Sequence, residues 1–261
     1  MTTTAYAVRD TRTMLRRNLR RMRRYPSMTM MLIGMPVIFL MLFVFVLGGT
    51  LGAGLTAGGG RAQYADYVTP GILLLSIASS AAGTAVTIAM DIKEGIIARF
   101  KTMAIFRPSV LTGHVTANVL QTMFGVLVLL LVALAIGFRP TATPLEWLAA
   151  AGLLLAVTIA ITWLAVTSGL AAKTVETASN WPLLLLLFPF LGSGFVPTAS
   201  MPGGLRWFAE YQPFTPMMET LRGLLLGTGV GHNGWLALAW CVVLTAFGYG
   251  WARRLYNRDP R

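Results

Sequence analysis

Six stretches of this sequence contain no Asp, Glu, Lys or Arg, and each, wound as a helix, is long enough to cross a lipid bilayer. They run from Tyr25 to Gly60, Tyr67 to Met90, Pro108 to Phe138, Trp147 to Ala172, Thr177 to Leu205 and Gly223 to Ala252. A helix needs about 20 apolar residues to cross about 30 Å of hydrocarbon, where no water can satisfy a bare backbone. The pattern predicts an all-α integral membrane protein with six transmembrane helices. Composition agrees: 11% of the 261 residues are charged and 56% are hydrophobic, unlike a soluble domain.

The net charge of +12 does not point to nucleic acid. The basic residues sit at the ends of apolar runs, and no recognition motif accompanies them. Their placement orients the chain instead. With the N-terminus inside, 17 of the 21 Lys and Arg residues fall on the inner side, and only Arg61, Arg139, Arg206 and Arg222 fall outside. An even number of spans and this bias predict a multi-pass protein of the plasma (inner) membrane with both termini cytosolic.

Eight arginines fall between Arg9 and Arg24, interleaved with Val8, Leu15, Leu19 and Met22 near helical spacing. This reads as an amphipathic interfacial helix on anionic membrane lipid, or as a solvated arm that fixes topology. Pro26 marks the break before the first span. Five further apolar runs argue against a signal peptide.

Between the second and third runs lies a charged island, Asp91 to Lys101, with Lys93, Glu94 and Arg99 inside it. It reads as a cytosolic segment that receives force from another protein, or as a solvated loop that sets topology. In the second span, Ser76, Ser80 and Thr84 recur every four residues beside Ser79, Gly83 and Thr87. Such a face lets helix backbones approach closely, or lines a substrate path; its hydroxyls can also bond their own helix carbonyls. Thr143-Pro144-Leu145-Glu146 has the form of a capping box opening the fourth span. Lys173, Glu176 and Asn180 mark a short second inner loop, and Pro197 and Pro202 end the fifth span.

From Gly203 to Leu226, aromatic residues mix with two charge pairs, Arg206 with Glu210 and Glu219 with Arg222. Spacings of four and three place each pair on one helical face. Two short outer helices dipping into the bilayer edge, an outer re-entrant hairpin, are predicted before the last span.

No G-x-x-x-x-G-K-[ST] occurs, so the chain builds no P-loop of its own. The central parts of the spans carry no ionisable residue of the kind ion-coupled transporters place there. His114 and His232 lie near span ends and read as satisfied or interfacial histidines. No paired carboxylates, Ser/His/Asp set or metal-ligand cluster supports an enzyme or a metal site. Cys241 is the only cysteine and reads as a small apolar helix residue.

Asp91, Lys93-Glu94-Gly95, Arg99-Phe100 and Gly113 together resemble the cytosolic coupling segment of ABC-2 type exporter permeases, in particular their daunorubicin-resistance-like branch. The run Gln212-Pro213-Phe214-Thr215-Pro216, with Glu219, Arg222 and Gly227, is similar to that family's outer segment before the last span. The resemblance covers nearly the whole chain. It departs at Met103-Ala104-Ile105, where the family often has a proline-containing turn.

The resemblance implies one ABC-2 type transmembrane domain over residues 1–261. Its parts are the interfacial helix at 1–25, spans one and two at 26–90, the coupling loop at 91–112, spans three to five at 113–196, the outer hairpin at 197–232, and span six with its basic tail at 233–261. It further implies a drug-efflux and antibiotic-resistance function, with two permease copies as a homodimer, two ATP-binding ABC subunits that carry the ATP and Mg, and amphipathic cargo passing between the permeases. No cofactor is expected in this chain and no nucleic acid partner. Glu94, Arg99 and Lys101 would give register at the ATPase interface, and Ile96, Ile97 and Phe100 would give it apolar area. Export of polysaccharide or glycolipid is the nearest alternative; an ion channel, a secondary transporter and a membrane scaffold are alternatives of other classes.

Overall fold

The computed structural model of the chain describes residues 26–55, 59–96, 99 and 107–257. The predicted interfacial helix at 1–25 lies outside the described residues, as do Ile97, Phe100 and Lys101 of the inner loop. Every regular element among the described residues is helical. Helix α1 (Pro26–Met41) runs through a π-helical turn (Leu42–Leu47) into α2 (Gly48–Leu55). Then come α3 (Arg61–Lys93), α4 (Arg107–Ile136) and α5 (Pro144–Ala171). Short helices α6 (Asn180–Leu185) and α7 (Phe188–Leu191) lead to α8 (Gly203–Tyr211), α9 (Phe214–Leu226) and α10 (Asn233–Asn257).

Among the described residues, five helical stretches are long and apolar enough to cross a membrane: Met30–Leu55, Arg61–Lys93, Leu111–Ile136, Pro144–Ala171 and Asn233–Asn257. The sequence predicts six, and the difference lies in the run from Thr177 to Leu205. Its apolar helical part is only Thr177–Leu191, roughly 22 Å at 1.5 Å per residue. Pro189 has no N–H to give Leu185, so α6 stops and α7 begins a turn later. Gly192 and Gly194 follow within a short run of turns, and Pro197 opens another.

Helices α3 and α5 form the centre. Their apolar windows are 72% and 61% buried, against 17% for the first span and 22% for the last. Between lipid-bathed helices the hydrophobic effect supplies little attraction, so close backbone approach and polar contacts must do more. Gly169 of α5 is such an approach: a Cβ there would lie 2.6 Å from the Ala85 carbonyl oxygen of α3. On the other side of α5, the Thr167 hydroxyl reaches the Gly248 carbonyl of α10 at 2.9 Å.

Local signals in the sequence set the helix ends. The Thr143 hydroxyl accepts from the Glu146 N–H, while Glu146 Oε2 accepts from the Thr143 N–H at 2.7 Å, so the predicted capping box forms. The predicted break at Tyr25 lies outside the described residues. Helix α9 closes on Gly227, whose φ of +66° suits a residue without a Cβ.

Candidate functional site

Two polar assemblies stand at opposite ends of the central helices. The one at the end predicted to be outer centres on Arg222 of α9, which is 8% exposed. One arm pairs with Glu219, three residues earlier on the same helix, as the spacing predicts. The other arm reaches two main-chain oxygens: Nη2 donates to the Tyr67 carbonyl at 3.2 Å and to the Ser193 carbonyl at 2.8 Å. The guanidinium also lies 3.9 Å from the centroid of the Tyr67 ring, a cation–π geometry. Tyr67 in turn donates its hydroxyl to the Ser193 carbonyl at 2.9 Å. A planar fork of fixed donors is what allows one side chain to hold α3, α9 and the turn after α7 together.

Further contacts close the same region. A Cβ on Gly71 would come within 2.6 Å of the Gly194 carbonyl oxygen, so α3 touches that turn backbone to backbone. Tyr64 donates to the Phe195 carbonyl. Gln212 Nε2 reaches the Phe188 carbonyl and the Thr215 hydroxyl, and its Oε1 takes the Phe214 N–H at the start of α9. The Thr141 N–H, in the α4–α5 turn, donates to the Leu225 carbonyl. Arg206 and Glu210 of α8 pair at 2.7 Å on an exposed face, again as spaced. The stretch predicted as a hairpin holds two short helices, with Pro213 at the junction and Pro216 in the first turn of α9, where a missing N–H is tolerated.

The opposite end, predicted to be inner, is built from different material. Helix α3 ends at Lys93, and Gly95, at φ +70°, turns the chain. The Arg99 N–H bonds the Gly95 carbonyl at 3.0 Å. Lys93, Glu94 and Arg99 are exposed, and Ile96 is half-buried. Of the predicted coupling residues, Glu94, Ile96 and Arg99 are thus placed at the inner rim, while Ile97, Phe100 and Lys101 fall outside the described residues. Glu176, in the second inner loop, accepts from its own backbone N–H and from the Thr174 hydroxyl, with Lys93 nearby. These contacts hold its carboxyl below the usual range, so it adds a fixed negative charge to the same rim.

Asp91 behaves unlike Lys93, Glu94 and Arg99. It is 1% exposed, and its Oδ2 lies 3.1 Å from Nε2 of His114 on α4. His114 is a satisfied histidine, as its position suggested; its partner was not evident. The shared clue was that Asp91 directly follows the second charge-free run and His114 stands near the start of the third.

Ser76, Ser80 and Thr84 are all buried on α3. Ser80 donates to the Ile77 carbonyl and Thr84 to the Ser80 carbonyl, inside their own helix. Among the described residues no three His, Cys, Asp or Glu side chains gather in a way that could hold a metal ion.

Residues 9–226 match the sequence model of the family described as ABC-2 type transporter. Over 255 residues the chain is 25% identical to the daunorubicin resistance ABC transporter permease protein DrrB1 of Streptomyces coeruleorubidus. That alignment covers 97% of this chain and 88% of the relative. Over 225 residues it is also 25% identical to the probable doxorubicin resistance ABC transporter permease protein DrrC of Mycobacterium tuberculosis, covering 82% and 79% of the two chains.

Proposed function

The chain belongs to the ABC-2 type transporter family, and from that membership we propose that it is the permease subunit of an ATP-driven drug exporter. Its cargo is amphipathic or lipid-like, taken from the cytosol or the inner leaflet. The observation that carries the reading is the alignment, nearly end to end, with a permease named for daunorubicin resistance. No P-loop occurs in these 261 residues, and in this reading a separate ATP-binding subunit hydrolyses the ATP. Apolar spans without ionisable residues at their centres suit cargo that is itself largely apolar.

In this reading two ATP-binding subunits dock on the inner rim of two permease copies, with ATP and Mg held by the former. Glu94 and Arg99 give the interface its register, with Lys101 beside them, and Ile96, Ile97 and Phe100 supply its apolar area. Cargo passes between the permease copies, and Ser76, Ser80 and Thr84 border its route when the helices part. Both termini and the rim face the cytosol at the plasma membrane, which requires the broken segment from Thr177 to Leu191 to complete a sixth crossing. The basic N-terminal segment lies on the inner leaflet.

Vesicles carrying the permease with its ATPase test this directly. Daunorubicin should accumulate on adding ATP and should not respond to an ion gradient alone. Accumulation driven by the gradient without ATP would make the protein a secondary transporter instead.

A further inference from the structure

The Asp91–His114 pair is buried at the two roots of the inner loop, and neither the charged rim nor the outer interlock accounts for it. Asp91 lies three residues before the Glu94–Gly95 turn, and His114 lies two turns into the helix that follows the loop. Their side chains are 2% and 6% exposed. A carboxylate so placed is costly to strand, which makes the pairing with imidazole strongly directional. The pair therefore clamps α3 to α4 at the level where the loop leaves the helices.

The polar line does not stop there. Residues four apart on a helix lie one above the other, and the next position on that face of α4 is Asn118. Its Nδ2 donates to the Thr162 hydroxyl of α5 at 2.8 Å. One turn further along the same face, Thr122 is 2% exposed. The face is thus polar over consecutive turns of a helix whose apolar window extends past it. It ties α4 to α3 at the loop and to α5 a turn deeper, and α3 and α5 are the two central helices.

We propose that Asp91, His114, Asn118 and Thr162 are positioning residues forming a buried strut that makes α3, α4 and α5 move as one body when the inner loop is pushed. This deepens the exporter reading and rests on it. Without the strut, a push on the loop would bend its two roots apart and be spent there. With it, the displacement passes to the central pair of helices. The residues do not touch the ATPase or the cargo; they act through the helices they join.

The test uses the whole complex in proteoliposomes, with ATP hydrolysis and daunorubicin uptake measured on the same sample. Asp91→Asn and His114→Gln are expected to lower uptake per ATP hydrolysed at least tenfold. Subunit co-purification and hydrolysis should stay within twofold of the parent, and the melting temperature of Asp91→Asn, which leaves no carboxylate stranded, should match it, whereas His114→Gln should melt lower. The exchanged pair, Asp91→His with His114→Asp, should recover a third or more of the lost coupling, which a merely structural role would not predict. Unchanged coupling in the single variants overturns the strut. So does a loss of uptake that only follows falling stability or assembly, or an exchange that restores nothing.

A second measurement separates this from failure of the exporter reading. With Cys241→Ala as background, spin labels at Lys93→Cys and Leu120→Cys report the spacing of α3 and α4. Adding nucleotide should leave that distance distribution narrow in the parent and broaden it in Asp91→Asn. If daunorubicin is not moved by the parent complex, the cargo reading falls while the distances still judge the strut. Equal distributions in both proteins overturn it.

Discussion

The outer and inner ends of the central helices are joined by different chemistry. At the outer end, Arg222 binds carbonyls of Tyr67 and Ser193, residues 155 and 29 positions away. Tyr64, Tyr67 and Gln212 also end on carbonyls, and Gly71 meets Gly194 backbone to backbone. Bonds to main-chain oxygens cannot be released by a change of rotamer on the accepting side, so this end behaves as one interlocked block. At the inner end, Asp91 and His114 join side chain to side chain, and beyond them Lys93, Glu94 and Arg99 stand in the open. The difference teaches where the protein is built to hold shape and where it is built to be touched.

If that contrast is right, stability should be concentrated at the outer end. The largest effect is expected for Arg222→Ala, which leaves the half-buried Glu219 without its partner and takes a charged donor from each of the Tyr67 and Ser193 carbonyls. Losing charge-assisted hydrogen bonds of this kind costs about 1.5–3 kcal/mol, read as a lowered melting temperature in detergent. Arg222→Lys should fall between, because an ammonium keeps the charge and loses the fork. A variant that melts like the parent would break the comparison.

Gly71→Ala comes next and is informative by its sign. In an ordinary helix interior alanine is favoured over glycine by about 1 kcal/mol. Here the new methyl would press on the Gly194 backbone, and overpacking of that kind costs about 1–3 kcal/mol. A net loss of melting temperature supports the interlock, and a gain contradicts it. Thr143→Ala removes the cap of α5 at the same end and should cost about 1 kcal/mol. The smallest effect belongs to Arg206→Ala: both partners of that ion pair are about half exposed, and such pairs contribute about 0–1 kcal/mol. A large loss there would mean that α8 carries part of the interlock.

Much of this was legible in the sequence because charge and helical spacing are local. The charge-free runs located the long helices, Thr143 and Glu146 announced a cap, and spacings of three and four anticipated both outer ion pairs. Arg222's main-chain partners were not legible, since a carbonyl has no identity in a sequence and Tyr67 is far from it along the chain. The Asp91–His114 pair was hidden for a related reason: each residue looked like the ordinary polar end of its own span. The break within the run from Thr177 was not legible because counting charges ignores the backbone. Pro189 interrupts it as effectively as a charged residue would.

The central claim is that the inner rim receives work from an ATPase while the outer block holds. The most direct measurement is ATP-driven daunorubicin uptake by the complex bearing Glu94→Lys together with Arg99→Glu. The account predicts that uptake is abolished and the ATPase no longer co-purifies, while membrane insertion and melting temperature match the parent. Normal co-purification and normal uptake in that double variant would contradict it.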